Sequence, residues 1–333
     1  MSNVEPIPVL SRTEVVERLS GHTHPNQQSY RAFYSSVIGG ITKDPAAMVI
    51  PIDDHMAHRG HAVFDTAIIF SGSLYELDEH IDRFLKSAHM AKIESPFSRE
   101  ELKAIVIRTV AVSGVRDGST RYWLSVGPGG FTLSTKECPR SSFYVMVVAD
   151  DKFTKLDAPA GGVTVATSTV PMKPPPFSTI KNVNYMPNAL VKKEAEERGV
   201  FEGIWIDENG NIGEGPSMNV AFVNNKNELL VPDFSQVLAG CTMKRVLALS
   251  EKLLSEDSDL RLSRICHRPV SEAEARQCKE MMLVGSGVLV TPVIRWDDQV
   301  IDSGSPGPIT MALRKLLIED LKGGHSHLPV QYV

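Results

Sequence analysis

The chain has 333 residues, with 35 Lys plus Arg against 40 Asp plus Glu and a net charge of -5. Hydrophobic residues make up 42% and charged residues 23%, which excludes wholesale disorder and suggests two domains. The charge balance gives no bulk reason to bind nucleic acid or an anionic membrane, although a local pocket could take a small anion.

Cys138, Cys241, Cys266 and Cys278 form no CxxC pair, so neither a zinc site nor a disulfide framework is expected. A reducing compartment follows, the cytoplasm by default. A processed chain whose organelle transit peptide has been removed would read the same way. No apolar run reaches the roughly 18 residues of a membrane helix.

The first element is a short helix, with Ser11 and Glu14 as a capping box and Val15, Val16 and Leu19 as an apolar stripe. Gly21 to Gln28 reads as a loop. β signals follow at Ala32 to Ile38 and at Ala47 to Ile52. Val63 to Phe70 meets a Gly72-Ser73 turn and returns as Leu74 to Leu77, a hairpin. One helix runs from an Asp78 cap to about Lys92, with Ile81, Phe84, Leu85 and Ala88 on one face. Another opens with a Ser98/Glu101 capping box and stops at Gly114. Strands recur at Arg121 to Val126 and Phe143 to Val148.

A polar stretch from Ala149 to Gly162 marks a boundary. Beyond it come a strand at Val163 to Val170, a Pro-rich loop at 171–177, and a helix from about Tyr185 to Arg198. Strands at Gly203 to Ile206, Asn219 to Val223 and Glu228 to Val231 follow, then a helix from Thr242 and a last one from Pro308 to Leu321. The fold class is α+β, mixed. The expected division is an extension (1–30), a small N-terminal α/β domain (31–150), a linker (151–160), a large C-terminal mixed-sheet or barrel-like domain (161–325), and a disordered tail (326–333) carrying His327.

No Walker loop, dinucleotide fingerprint, nucleophile elbow or HExxH helix is present. Gly127-Pro128-Gly129-Gly130 has no helix after it and reads as a plain loop. His55, His58 and His61 are spaced by three, but a strand-to-strand turn cannot easily aim all three inward, so no metal is expected. The informative stretch runs from Lys181 to Asn219. Lys181 stands among Phe177, Ile180, Val183, Tyr185 and Met186; it is either a solvated loop lysine or a desolvated amine nucleophile. Glu214, wedged between Gly213 and Gly215, could pair with a ring nitrogen. Gly240-Cys241-Thr242 starts a helix whose free N–H groups suit a phosphate. Gly285-Ser286-Gly287 is a small-residue turn. Arg83 is either a surface ion pair or a bidentate phosphate clamp.

An amine, a carboxylate, a phosphate-seeking helix start and an arginine together are what pyridoxal 5'-phosphate requires. Here the chain resembles the fold-type IV pyridoxal-phosphate enzymes: the branched-chain aminotransferases, D-amino acid aminotransferases and aminodeoxychorismate lyase. The shared motifs are Lys181, Asn184-Tyr185, Glu214-Gly-x-x-x-Asn219, Gly240-x-Thr242 and Thr291-Pro292-Val293, in the family's order. The resemblance implies a two-domain fold, a smaller α/β sandwich and a larger mixed-sheet domain. It implies a Schiff base at Lys181 and a Glu214 contact to the pyridine nitrogen. Arg83, the amides of Cys241 and Thr242, the Thr242 hydroxyl and Ser286 would grip the phosphate. Tyr185 matches a tyrosine that contacts the phenolate oxygen in branched-chain enzymes, one residue nearer the lysine here, as in the D-amino acid enzymes, where leucine stands. The partners implied are an amino acid, a 2-oxo acid and a second copy of the chain.

His55-Met56-Ala57-His58-Arg59-Gly60-His61-Ala62-Val63-Phe64-Asp65 matches the branched-chain pattern without gaps, with Arg59 in place of a pocket tyrosine. Arg59, Phe64 and Arg121 are the expected substrate residues. Ser125-Val126-Gly127-Pro128-Gly129-Gly130 is similar to the lyase pattern minus its arginine. Across the whole chain, including Met281 to Gly287 and Pro174-Pro175, the sequence is most similar to plant-type D-amino acid transaminases. Transamination of a D-amino acid is therefore the first expectation, with the lyase second and branched-chain L-amino acids third.

Overall fold

The computed structural model describes residues 7–21, 24–150, 159–255, 260–324 and 326–333. Helix α1 (Arg12–Gly21) opens on the expected capping box, with the Glu14 carboxylate accepting from Ser11 N at 2.8 Å. Its Val15, Val16 and Leu19 stripe is exposed. A 3-10 turn at Pro25–Ser29 replaces part of the expected loop. Strands β1 (Tyr30–Ser35) and β2 (Gly40–Thr42) then pair antiparallel.

The strand expected at 47–52 does not form. Asp44 caps a 3-10 turn at Pro45–Ala47, and Pro51 leads into the one-turn helix α2 (His55–Arg59). Asp54 caps α2 by accepting from Met56 N at 2.9 Å, and its buried carboxylate also accepts from the hydroxyls of Ser125 and Tyr144. Capping chemistry outweighs apolar patterning here, and Val49, Ile50 and Ile52 are left on the surface.

Strands β3 (Ala62–Phe70) and β4 (Ser73–Tyr75) make the expected hairpin. Ser71 and Gly72 both have positive φ, 48° and 80°, which matches the twist a two-residue hairpin needs. Helix α3 (Leu77–Met90) is capped two residues earlier than expected. Glu76 occupies the N-cap, and Asp78 instead accepts from Lys103 and Arg99. Helix α4 (Arg99–Ser113) shows both its Ser98/Glu101 capping box and a left-handed Gly114. Strands β5 (Gly118–Ser125) and β6 (Ser142–Ala149) complete this half.

The second half runs β7 (Val163–Thr167), a one-turn α5 (Pro175–Ser178), α6 (Met186–Glu197), β8 (Glu202–Ile204), β9 (Asn219–Val223), β10 (Glu228–Val231) and α7 (Cys241–Leu254). Then come β11 (Arg264–His267), α8 (Glu272–Ala275), β12 (Glu280–Gly285), β13 (Leu289–Trp296), β14 (Gln299–Val300), α9 (Pro308–Gly323) and β15 (His327–Pro329). Most of the expected 151–160 linker, residues 151–158, lies outside the described residues, as does His325.

The first sheet has the order β15-β4-β3-β5-β6-β1-β2 and is antiparallel throughout. The second has the order β11-β10-β9-β12-β13-β7-β8, with β14 on β13, and mixes parallel and antiparallel pairs. Residues 327–329 are therefore not a disordered tail. They form an edge strand, His327 opposite Tyr75, and Tyr332 donates its hydroxyl to Val115 O at 2.6 Å. An exposed edge on β4 is covered by the chain's own C-terminus.

Helices α3 and α4 cover one face of the first sheet through Ile81, Phe84, Leu102 and Val106. Helices α7 and α9 cover one face of the second, and Ile68, Phe70 and Tyr75 of the first sheet join that same core. The two halves thus share buried apolar surface, which holds the cleft between them. Among the described residues no helix is long and apolar enough to cross a membrane.

Candidate active site

Lys181 lies where the halves meet. Its carbonyl accepts from Phe64 N at 2.9 Å, its own N–H reaches Ser87 Oγ at 3.2 Å, and the next residue bridges to Val63. This extension of β3 aims the amine into a cavity of ≈ 470 Å³ between the sheets. Its Nζ stands 4.6 Å from the centroid of Phe64 and donates to Tyr185 Oη at 3.4 Å. Burial, and then the positive charge of Arg83, push the amine down to about 8.

Glu214 reaches the same cavity from a tight turn. Gly213 N bonds to Trp205 O at 2.8 Å and Gly215 N to Met218 O at 2.9 Å, which holds the carboxylate facing inward. It accepts from Leu238 N at 3.2 Å and Asn219 Nδ2 at 3.4 Å. Burial pushes its carboxyl up to about 8, while Lys173, the Leu238 N–H and Lys181 pull it back. Gly240 is required beside it, since a Cβ there would stand 2.1 Å from Asn219 Oδ1.

Helix α7 begins at this point. Its N-cap, Gly240, has no side chain to satisfy the first N–H groups, so Cys241 and Thr242 present free amides at the positive end of the helix. The Thr242 hydroxyl meets Ser286 Oγ, from the β12–β13 turn, at 3.1 Å. On the facing wall Arg83 donates to Asp65 twice, at 2.8 and 2.7 Å, and His80 Nδ1 donates to the same carboxylate at 2.8 Å. Asp65 is fully buried; burial would raise its carboxyl, but Arg83 and His80 overcome that and hold it well below the usual range.

The cavity thus unites Lys181, Tyr185, Glu214, Arg83, Cys241, Thr242 and Ser286, with Phe64 and Arg121 on its wall. Phe64 and Tyr185 meet edge to face at 5.1 Å, and Arg121 lies 5.7 Å from Phe64 with its Nε on Thr66 Oγ1 at 3.2 Å.

Arg59 is the exception. It does not line this cavity: its side chain is exposed and donates to the carbonyls of His58 and Phe131. The cause is local, because Arg59 is the last residue of a capped helical turn rather than part of the strand that leads to Phe64. That turn also brings the rings of His55, His58 and His61 together, 5.2 and 5.5 Å between centroids, each with Nε2 facing a backbone carbonyl. Among the described residues no group of three such side chains is placed to hold a metal.

Sequence reasoning missed Asp65 and Lys173. Asp65 carries a usable signal, a lone acid on an otherwise apolar strand. Lys173 carries none, because only the folded Pro-rich loop turns it toward the cavity.

The family model described as amino-transferase class IV matches residues 62–296. The chain is 52% identical over 319 residues to the D-amino-acid transaminase, chloroplastic, of Arabidopsis thaliana, covering 96% of this chain and 83% of that one. It is 28% identical over 284 residues to the D-alanine aminotransferase of Bacillus licheniformis, covering 84% and 95%. Among solved structures, the branched-chain amino acid aminotransferase of Thermobaculum terrenum, in its PLP-form, superposes with a TM-score of 0.78 at 20% identity, over 92% of this chain and 100% of that one. The branched-chain aminotransferase of Thermoproteus uzoniensis superposes at 0.80 and 20% identity, over 91% and 100%. At that identity the likeness shows the fold, two sheets with the cleft between them. With a family model over most of its length and more than half of its aligned residues shared with one member, the chain belongs to the class IV aminotransferases.

Proposed function

We propose that the protein is a pyridoxal 5'-phosphate-dependent transaminase that moves the amino group of a D-amino acid to a 2-oxo acid. The observation that carries this reading is the convergence of Lys181, Glu214, Arg83 and the α7 start on one cavity. The choice of D-amino acids is supported by the names of the Arabidopsis and Bacillus relatives.

The donor set suits the cofactor group by group. Lys181 would hold the aldehyde carbon and Glu214 the ring nitrogen. Arg83, the amides of Cys241 and Thr242, the Thr242 hydroxyl and Ser286 would hold the phosphate. When bound, the cofactor supplies an aldehyde that condenses with amines and a ring that takes up the electron pair left at Cα.

Lys181 serves twice with one nitrogen. Pushed down to about 8, its amine is neutral near pH 7.5 far more often than an ordinary lysine's. The same nitrogen is placed to act as the base that would take the Cα proton. Tyr185 Oη, 3.4 Å away, orients it. Phe64 and Tyr185 form an apolar wall that excludes water from that proton. Asp65 holds Arg83 in the bidentate geometry that aims its remaining N–H groups.

A donor screen tests the reading. D-amino acids, D-alanine first, are expected to convert the holoenzyme's near-visible absorbance to that of the aminated cofactor. Conversion by L-leucine, L-isoleucine and L-valine alone would overturn the substrate assignment, and pyruvate release from aminodeoxychorismate without amino transfer would make it a lyase.

We also propose a homodimer. Ile52, Phe131 and Leu133 are 77%, 57% and 79% exposed, and the exposed Arg59 donates to the Phe131 carbonyl, which suits surfaces that pack on a second copy. Light scattering after gel filtration should give twice the chain mass, and L133E should shift it toward one chain. The four cysteines are unpaired, which suits a reducing compartment, the cytoplasm or, as the Arabidopsis relative is named, a chloroplast.

A further inference from the structure

A second cavity, of ≈ 600 Å³, lies between α3 and α7. It shares Arg83, Leu238 and Cys241 with the active-site cavity, but neither Lys181 nor Glu214 lines it. Its volume suits a small molecule.

Glu76, the N-cap of α3, lines this cavity from within the fold. The residue is 4% exposed, and its buried Oε2 accepts no hydrogen bond among the described residues. The carboxylate does not cap its own helix, and the backbone there is left-handed, with φ 51°. Two cations act on it, and both are engaged elsewhere: His80 with Asp65, and Arg245 with Asp320. Burial prevails over them, and the carboxyl is pushed up to about 7. A buried oxygen without a donor is a cost that the fold does not offset, and a ligand N–H would offset it.

The remaining charges are of both signs. Asp82 is held by Arg99, and Arg83 by Asp65. That leaves Glu79, Lys86 and Lys244, all exposed, and among the described residues no hydrogen bond or ion pair holds their charged ends. A plain cation would meet two ammonium groups here, and a plain anion two carboxylates. A molecule with an ammonium at one end and a carboxylate at the other avoids both conflicts. Its ammonium turns inward to Glu76 and its carboxylate outward to the lysines. Met90, Phe234, Ala239 and Ala248 offer its side chain an apolar wall.

We propose that this cavity is a second amino-acid site, which binds a free amino acid without chemical change through Glu76 inside and Lys86 and Lys244 at the rim. The inference goes beyond the transaminase reading, because these three residues are not among those assigned to cofactor or substrate.

The test is equilibrium dialysis of radiolabelled leucine, of either hand, against holoenzyme whose cofactor has been fixed by borohydride and can no longer condense with an amine. Saturable binding of one leucine per chain is expected. Isoamylamine, which lacks the carboxylate, and isocaproate, which lacks the ammonium, should each displace it only at about tenfold higher concentration or more. In Glu76→Gln, and in Lys86→Met with Lys244→Met, Kd should rise by about tenfold or more, the range of one charge-assisted hydrogen bond. Lys86 and Lys244 are exposed, so the double variant tests the site even where Glu76→Gln does not fold. Arg121→Met, in the active-site cavity, should bind as wild type does. No saturable binding, unchanged binding in the folded Glu76 or lysine variants, a loss in Arg121→Met, or displacement by isoamylamine as readily as by leucine would each overturn the proposal.

Discussion

Lys181 and Glu214 are both buried against their charged forms, and their values converge on about 8 from opposite sides. Replacing Lys181 with alanine removes nucleophile and base together, so kcat should fall by about a thousandfold or more in a half-reaction assay. Glu214→Gln should separate stability from function. A carboxyl raised from 4.5 holds its proton in the folded chain across a window, up to about 8, where the unfolded chain has released it. Its destabilising effect therefore grows across that window and is complete above it. In cofactor-free protein at pH 8.5, Glu214→Gln should raise stability by on the order of a few kcal/mol, and at pH 4.5 by almost nothing. The same variant, with a neutral group facing the ring nitrogen, should lose about a hundredfold in kcat. Equal unfolding temperatures at pH 8.5 would contradict the buried charge. Glu214 stands out in the sequence between two glycines, whereas Lys181 alone reads equally as a solvated loop lysine and takes its role from the resemblance of the motifs around it. Lys173 was not legible, because its partner ring, Tyr185, is brought to it by the fold.

At the scale of elements, β3 and α3 are locked by one carboxylate. Asp65 accepts from Arg83 and His80 at full burial, so Asp65→Asn leaves two buried donors poorly matched. A loss of about 3–5 kcal/mol in stability is expected from denaturant unfolding, with weaker retention of the cofactor because Arg83 loses its orientation. If the variant unfolds like wild type and keeps its cofactor, Asp65 does not set Arg83. Where capping residues and glycines mark an end, as at Ser98, Glu101 and Gly114, the sequence located the helix to the residue. The apolar run at 47–52 imitated a strand because burial, which decides the matter, depends on having a neighbour to pair with; among the described residues Val49, Ile50 and Ile52 have none.

At the scale of the molecule, residues 327–332 return to the first sheet. Strand β15 pairs with β4, Val330 N bonds to Gly72 O at 3.1 Å, and the Arg116 guanidinium lies 4.6 Å from the Tyr332 ring centroid. Ending the chain at residue 325 should cost about 3 kcal/mol or more and expose the β4 edge, read as a lower unfolding temperature and a greater tendency to aggregate. Unchanged melting would mean the strand is ornamental. A segment this short, broken by Pro329, gives no clear strand signal, and only the fold shows its pairing with β4. The cleft depends on the same interlocking, because Ile68 and Phe70 of β3 and Tyr75 of β4 pack into the core under α7 while the other end of β3 meets Lys181. The most direct test of the whole account is sodium borohydride reduction of the holoenzyme followed by peptide mapping. The cofactor should be fixed to Lys181, in the peptide that continues through Asn184 and Tyr185, and a label on Lys173, on any other residue, or on none would contradict it.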